Sequence, residues 1–288
     1  MASRPRYARA IVFANQKGGV GKTTSALNLG FALSRNGGRV LLIDMDPQAT
    51  ATMGLLADGG VEAYRLGRTM SHVILGTTPL ASVVIQAGEK LVAGRAAPFD
   101  IAPSHIELAE TDSKREPGFD AALREALEPC RASYDFVVID APPNLGMLTW
   151  MALAAAEEVI IPVRTEPYDT MGVGLILSTI NKVQRRLNPR LRLTGILPTQ
   201  FGKRKSVDRE VLTYLVRAMA DKAPVLEPVP DSAVFGYASR NGKIATEVSP
   251  SSPAVLAYLN LAQALTGGTP LPRADVESIE LDSMESPL

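Results

Sequence analysis

Residues 10–24 read Ala10-Ile11-Val12-Phe13-Ala14-Asn15-Gln16-Lys17-Gly18-Gly19-Val20-Gly21-Lys22-Thr23-Thr24. The first five are apolar and short, as expected for a strand buried on both faces of a parallel sheet. The glycines that follow let the backbone curl so that successive N–H groups point inward at an anion. A helical pattern opens directly after Lys22, and its N-terminus adds the positive end of a dipole. Strand, glycine loop and helix in that order are the context that makes a phosphate-binding loop credible. Gly18, Gly19, Val20, Gly21 and Thr24 would supply the cradle. Lys22 would bridge the β- and γ-phosphates, and the Thr23 hydroxyl would ligate Mg²⁺.

Two further apolar runs end in carboxylates. Residues 40–43 (Val-Leu-Leu-Ile) lead into Asp44-Met45-Asp46-Pro47-Gln48, and residues 136–139 (Phe-Val-Val-Ile) lead into Asp140-Ala141-Pro142-Pro143. Ligands of α/β sheets sit beyond the carboxyl ends of the strands, so these acids are expected beside the glycine loop. Asp140 reads as the acid that holds Mg²⁺ through water. Asp44 is expected in the Mg²⁺ shell.

Helical patterns are expected over 23–35, 119–130, 145–156, 170–187, 206–220 and 253–265. Further strands are expected over 99–102, 159–163 and 193–197. In the 206–220 helix, Val207, Val211, Leu212, Leu215 and Met219 form the expected buried stripe. Residues 55–100 mix short apolar pieces with glycine and proline and yield no clear elements beyond that strand. Strands alternating with helices specify an α/β fold, a mostly parallel twisted sheet covered on both faces. We expect residues 1–9 as an N-terminal extension, 10–267 as a single ATPase domain, and 268–288 as an acidic, disordered tail.

The chain has 288 residues, with 30 basic and 30 acidic side chains, so a strongly basic nucleic-acid binder is not indicated by the total. Any DNA contact must come from a local patch. One cysteine, Cys130, permits no disulfide or cysteine-based metal site within the chain and suits a reducing cytoplasm. Cys130 is expected to act as a small apolar side chain late in a helix. No window is apolar enough for a transmembrane helix, and the first nine residues do not form a signal peptide.

Counted back from Lys22, the first glycine of the general phosphate-loop pattern would fall at Gln16. Lys17 stands beside it instead. Lys-Gly-Gly-Val-Gly-Lys-Thr matches the deviant Walker A class in full. Residues 14–24, 41–48, 134–143 and 187–197 together resemble the ParA family of partitioning ATPases within that class. The resemblance covers roughly residues 8–265. It implies ATP and Mg²⁺ as ligands and an ATP-dependent homodimer in which Lys17 reaches the partner's phosphates. It also implies that Asp46 orients the attacking water and that Pro230 packs on adenine. Nonspecific double-stranded DNA and a ParB-like stimulating protein are the implied partners. The implied location is cytoplasmic and, with ATP, nucleoid-associated.

Other members of the class fit less well. Iron-protein and tail-anchor-targeting members need cysteines this chain lacks. Tyrosine kinases of the class carry a C-terminal tyrosine cluster, whereas the last tyrosine here is Tyr258. MinD-like proteins end in a basic amphipathic membrane helix, but this C-terminus is acidic, so no membrane partner is expected. The first strand starts too early for an N-terminal operator-reading domain. For DNA, Lys203, Arg204 and Lys205 precede a helix and form one candidate phosphate contact, with Arg240 and Lys243 as a second. The family usually has Arg where this chain has Asp231, and a further Arg where it has Val234. The departure keeps a rival open: an ATP-switched scaffold or regulatory protein that binds a protein rather than DNA.

Overall fold

The computed structural model describes residues 7–91, 94–113, 116, 118–167 and 172–275. Its centre is one six-stranded sheet in the order β3-β2-β4-β1-β5-β6, every neighbouring pair parallel. The strands are β1 (Arg9–Phe13), β2 (Val40–Asp44), β3 (Asp100–Ala102), β4 (Phe136–Asp140), β5 (Glu158–Arg164) and β6 (Arg192–Thr199). All the expected strands are present.

Alternation along the strands splits the core in two. On one face Ile11, Phe13, Leu42 and Val138 pack with Ala26, Leu29 and Leu33 of α1 (Lys22–Arg35), and with Tyr258 and Leu261 of the last helix (Pro253–Leu265). On the other, Val12, Leu41, Ile43, Val137 and Ile139 share a core with helices that include 122–127, 147–155, 173–186 and 206–219. Both faces are covered, which is why the strands read as continuous apolar runs. Each large aliphatic side chain so buried contributes about 1.5–3 kcal/mol.

The unread region is helical. It forms α2 (Thr50–Leu56), α3 (Gly59–Arg65), α4 (Met70–Ile74) and α5 (Leu80–Val83), all one or two turns long. Such pieces give too few residues for a periodic signal. A single helix over 119–130 is not what forms. Residues 119–121 and 128–133 are 3-10 turns flanking α6 (Ala122–Leu127), and Pro129 lies at the start of the second turn. Proline there cannot donate the α-helical bond. Cys130 lies in that turn and is buried, and burial pushes its thiol up.

α7 (Met147–Ala155), α8 (Val173–Arg186), α9 (Ser206–Met219), α10 (Ala233–Arg240), α11 (Ala245–Val248) and α12 (Pro253–Leu265) complete the chain. Residues 168–171, at the expected start of α8, lie outside the described residues. In α9 the stripe is shifted: Val207 is exposed, and Asp208 is buried with Val211, Leu212 and Leu215. Asp208 is there because its Oδ2 accepts the Gly202 N–H at 2.7 Å.

Beyond β6 the backbone of residues 224–231 runs alongside it. Leu226 N donates to Ile196 O at 2.8 Å and Phe201 N to Val229 O at 3.1 Å. Arg273 bridges antiparallel to Leu226, and Ala274 N donates to Val225 O at 3.0 Å. The segment expected to leave the domain after 267 is therefore hydrogen-bonded to it through 274, and 276–288 lie outside the described residues. Among the described residues no helix is long and apolar enough to cross a membrane.

Ala57, just past α2, holds φ 50° and ψ −130°. A β-carbon clashes with the backbone there, and glycine does not. Ala57→Gly should therefore raise stability by about 0.5–1 kcal/mol in denaturant unfolding, because the strain relieved exceeds the entropy lost. A lower midpoint at unchanged slope would contradict the strain.

Candidate nucleotide site

The loop between β1 and α1 is held from outside. Asn15 Nδ2 donates to Pro162 O at 2.7 Å, and its Oδ1 accepts the Lys17 N–H at 3.1 Å. Thr199 Oγ1 donates to Val20 O at 2.9 Å, and Gln200 Nε2 to Gly19 O at 2.8 Å. With the Gly19 and Val20 carbonyls turned toward the end of β6, the loop's N–H side faces the other way. Gly19 (φ 71°) and Gly21 (φ 85°) are left-handed, a curl that side chains rarely allow. Nothing lies within 4 Å of where a β-carbon on Gly18 or Gly19 would sit, which leaves the cradle open to an anion.

Lys22 is 6% exposed, and its Nζ donates to Lys17 O at 2.9 Å. Burial pulls its pKa down, while the charges of Asp140 and Asp46 push it up. Lysine and both acids therefore converge as expected. Lys17 is half-buried beside the exposed Gly18 and Gly19.

Asp44 and Asp140 are register partners at the ends of β2 and β4. Both are fully buried, yet they differ in partners. Asp44 Oδ2 accepts Thr52 N at 2.9 Å and Thr52 Oγ1 at 2.7 Å, and Oδ1 accepts Asp46 N at 3.1 Å. Burial nevertheless raises its pKa to about 6. Neither Asp140 oxygen accepts a well-formed hydrogen bond, and the Thr23 hydroxyl is the donor that acts on it. Burial first and the Asp44 charge second raise its pKa well above the usual carboxylate range, opposed by the Thr23 hydroxyl and Lys22.

A buried, unpartnered carboxylate costs free energy unless something fills the gap. A hard divalent cation at Thr23 and Asp140 would do so, and these residues fit Mg²⁺. No cluster of three His, Cys, Asp or Glu residues that could hold a metal exists among the described residues. Mg²⁺ typically takes few protein oxygens together with substrate phosphates and waters. Asp44 is tied to Thr52 and the Asp46 amide, so it also anchors the neighbouring segment.

That segment carries Asp46. The Asp46 Oδ1 accepts Gln48 N at 2.9 Å, and its carbonyl accepts Ala49 N at 2.8 Å. Ala49 is left-handed at φ 53°, so the turn is tight. Thr52 closes it on Asp44, and Thr52 Oγ1 also accepts Ser104 N at 2.8 Å. Sequence reasoning missed Thr52, Ser104, Thr199 and Gln200. The detectable signal was position alone: Thr199 and Gln200 end and follow a strand.

Next to the loop lies a cleft of about 190 Å³, lined by Gly21, Thr24, Thr199, Gln200, Val229, Pro230, Asp231, Ser232, Phe235 and Tyr258. Phe235 meets Tyr258 edge-on at 6.1 Å, and Tyr258 OH lies 2.9 Å from Ser25 Oγ. An apolar wall beside a phosphate loop suits a nucleobase. Pro230 is in that wall, where the sequence expected it.

The candidate DNA residues lie elsewhere on the surface. Lys203, Arg204 and Lys205 are exposed ahead of α9, and Arg209 Nη1 donates to Lys203 O at 3.0 Å. Arg240 ends α10 and Lys243 follows it, both exposed. Val234, where the family has an arginine, packs on a small apolar cluster of Ala238, Ala245 and Val255.

Thr52→Val should strand one Asp44 lone pair and the Ser104 N–H, destabilising the protein by about 1–3 kcal/mol. It should slow ATP hydrolysis more than it weakens ATP binding, and Thr52→Ser should restore both. Equal losses in kcat and affinity would show that Thr52 supports the site only as packing.

A protein-family profile described as an AAA domain matches residues 8–193. The chain is 42% identical over 256 residues to the chromosome-partitioning ATPase Soj of Thermus thermophilus, covering 88% of this chain and 94% of that one. It is 38% identical over 204 residues to the chromosome partitioning protein ParA of Myxococcus xanthus, covering 71% and 69%. A solved structure of cobyrinic acid a,c-diamide synthase from Mycobacterium smegmatis, with bound ADP and magnesium, aligns at a TM-score of 0.76 and 33% identity. It covers 93% of this chain and 99% of that one. These likenesses fit the glycine loop, the buried strand-end carboxylates and the cleft at the carboxyl edge of one parallel sheet. With that site and those relatives, the chain belongs to the ParA family of P-loop ATPases, using ATP with Mg²⁺.

Proposed function

We propose that ATP closes two copies of this chain into a homodimer that holds nonspecific double-stranded DNA, and that hydrolysis releases it. The cycle would partition or position a cargo, whether plasmid, chromosome or protein assembly, over the nucleoid in the cytoplasm. The observation that carries this reading is Lys17 on the rim of the phosphate loop while Lys22 is buried within it. One lysine would serve the chain's own nucleotide. The other would meet a partner's phosphates, which would make dimerisation depend on ATP.

In the bound state Lys22 would exchange the Lys17 carbonyl for phosphate oxygens. When bound, Mg²⁺ neutralises developing charge on the phosphates. Thr23 and Asp140 would hold it. Asp46, buried beside Lys22 and fixed through Asp44 and Thr52, would orient the attacking water. Phosphoryl transfer needs positioning and charge more than covalent help, so how this segment holds Asp46 would set the rate. Hydrolysis is expected to be slow and raised by a ParB-like protein on the cargo.

For DNA, Lys203, Arg204, Lys205, Arg240 and Lys243 supply phosphate contacts without a base-reading element. A dimer doubles them, and avidity turns weak contacts into useful binding. The solved and curated relatives carry several job names on one fold, so the job must rest on this surface rather than on the fold. Asp231 at the cleft favours the rival reading of a protein-binding scaffold. So does a second, apolar cleft beside Pro47, Thr52 and Ser104, where Met53, Val61 and Ile106 are exposed.

Lys22→Ala should abolish ATP binding in equilibrium titration, and unchanged affinity would refute its role. Asp46→Ala should keep ATP binding and accumulate dimer in light scattering, whereas normal turnover would remove Asp46 from water orientation. Binding to random-sequence duplex should be tight with ATP only and fall steeply with salt. Charge reversal at Lys203, Arg204 and Lys205 should weaken it on every sequence alike. No DNA binding in any nucleotide state, with ATP dimerisation intact, would favour the scaffold.

A further inference from the structure

Arg95 lies in the part of the chain least legible in sequence, and its guanidinium caps α2. Its Nε donates to Leu55 O at 2.8 Å, its Nη2 donates to Gly54 O, and its own N–H reaches Leu56 O at 3.3 Å. A fork of donors suits the unpaired carbonyls of a helix end, and a cation there also meets the negative end of the helix dipole. The same short helix carries Thr52, which grips Asp44. Arg95 therefore holds the far end of the element whose near end closes the turn around Asp46.

On its other side Arg95 meets the loop between Arg240 and Lys243. A β-carbon on Gly242 would lie 3.1 Å from Arg95 Nη1, and Gly242 has φ 60°. The loop is closed on α10 by Gly242 N to Ser239 O at 3.0 Å and Lys243 N to Ala238 O at 2.8 Å. Just beyond it, Thr246 N and Oγ1 donate to Asn28 Oδ1 at 2.9 and 2.7 Å. Asn28 Nδ2 in turn donates to the carbonyl of Thr24, in the phosphate motif, at 2.7 Å. The charge of Glu247, on α11, acts on Arg95 as well. α11, directly after loop 240–243, is thus seated on the phosphate helix through Asn28, and Arg95 at the far end of α2 packs beside the loop.

We propose that Arg95 is a positioning residue that couples the Asp46–Thr52 segment to the loop carrying Arg240 and Lys243, so that the bound nucleotide sets how those two cations are presented. The DNA half of this inference rests on the function proposed above. A shift of α2 as nucleotide fills or leaves the site carries Arg95 with it. The Arg95 guanidinium packed beside Gly242 would pass that shift to the loop. Coupling of this kind is reciprocal, so DNA would change ATP affinity by the factor that ATP changes DNA affinity.

The test uses the full chain and two variants. Arg95→Lys keeps the charge and loses the fork. Gly242→Ala presses on Arg95 from the loop side and keeps the coupling testable should Arg95→Lys not fold. Each is titrated with random-sequence duplex at saturating ATP and at saturating ADP. The ATP-to-ADP affinity ratio should fall by about fivefold or more in both variants, with the effect of DNA on ATP affinity shrinking by the same factor. A wild-type ratio in both overturns the inference. Hydrogen exchange at the Gly242 and Lys243 amides reads the coupling without DNA. These amides should exchange differently with ATP and ADP in the wild type and alike in Arg95→Lys. If the wild type binds no DNA, the functional reading falls while the exchange measurement still decides the coupling. No nucleotide dependence at 242–243 in the wild type overturns it.

Discussion

The arrangement depends on one buried electrostatic knot, Lys22 facing Asp46 and Asp140 at the carboxyl edge of the sheet. Burying a charge is expensive unless partners compensate, and removing one partner leaves the others stranded. Here the positive member comes from the phosphate loop and the negative members from the ends of two strands. The parallel register of β1, β2 and β4 brings them together. Asp44, register partner of Asp140, adds a charge that raises the Asp140 pKa and makes a cation at Asp140 more favourable.

Around the knot the fold uses side chains as struts. Thr199 and Gln200 hold two loop carbonyls from the end of β6, and Asn15 holds the loop's entrance to β5. Thr52 and Ser104 hold the Asp46 segment to β2 and the residues after β3. The left-handed backbone at Ala49, Ala57 and Gln200 falls at the same junctions. Strain of this kind is held in place by the packing around it.

The two surface regions with basic side chains differ in support. Residues 203–205 lead into α9, whose start is fixed by Asp208 on Gly202. α11, directly after loop 240–243, is seated on α1 through Asn28 and Thr246, and Arg95 at the far end of α2 packs beside the loop. Val234 packs inward on its own small cluster, and Asp231 turns to the base cleft. The departures from the family's arginine pattern therefore have local structural consequences, and the cations of this surface come from other positions.

The sequence by itself determined the sheet, the phosphate loop and the acids at the strand ends. Those features are local: an apolar run of five residues, glycines at fixed offsets and a carboxylate directly after a strand need no distant partner to be read. Through resemblance rather than periodicity it also singled out Pro230, which lines the cleft beside the phosphate loop. Only the tertiary structure decided that Asp44 anchors Thr52 while Asp140 stays open, since two aspartates at the ends of apolar strands look alike in sequence. It decided that residues 50–83 are short helices, whose one or two turns leave no periodic trace. It decided that residues 225–227 pair with 272–274, a backbone contact that side-chain pattern does not encode. Arg95 meeting Gly242 belongs to the same class. A contact across 147 positions depends on how the sheet twists and how helices pack on it, and no local residue pattern carries that information.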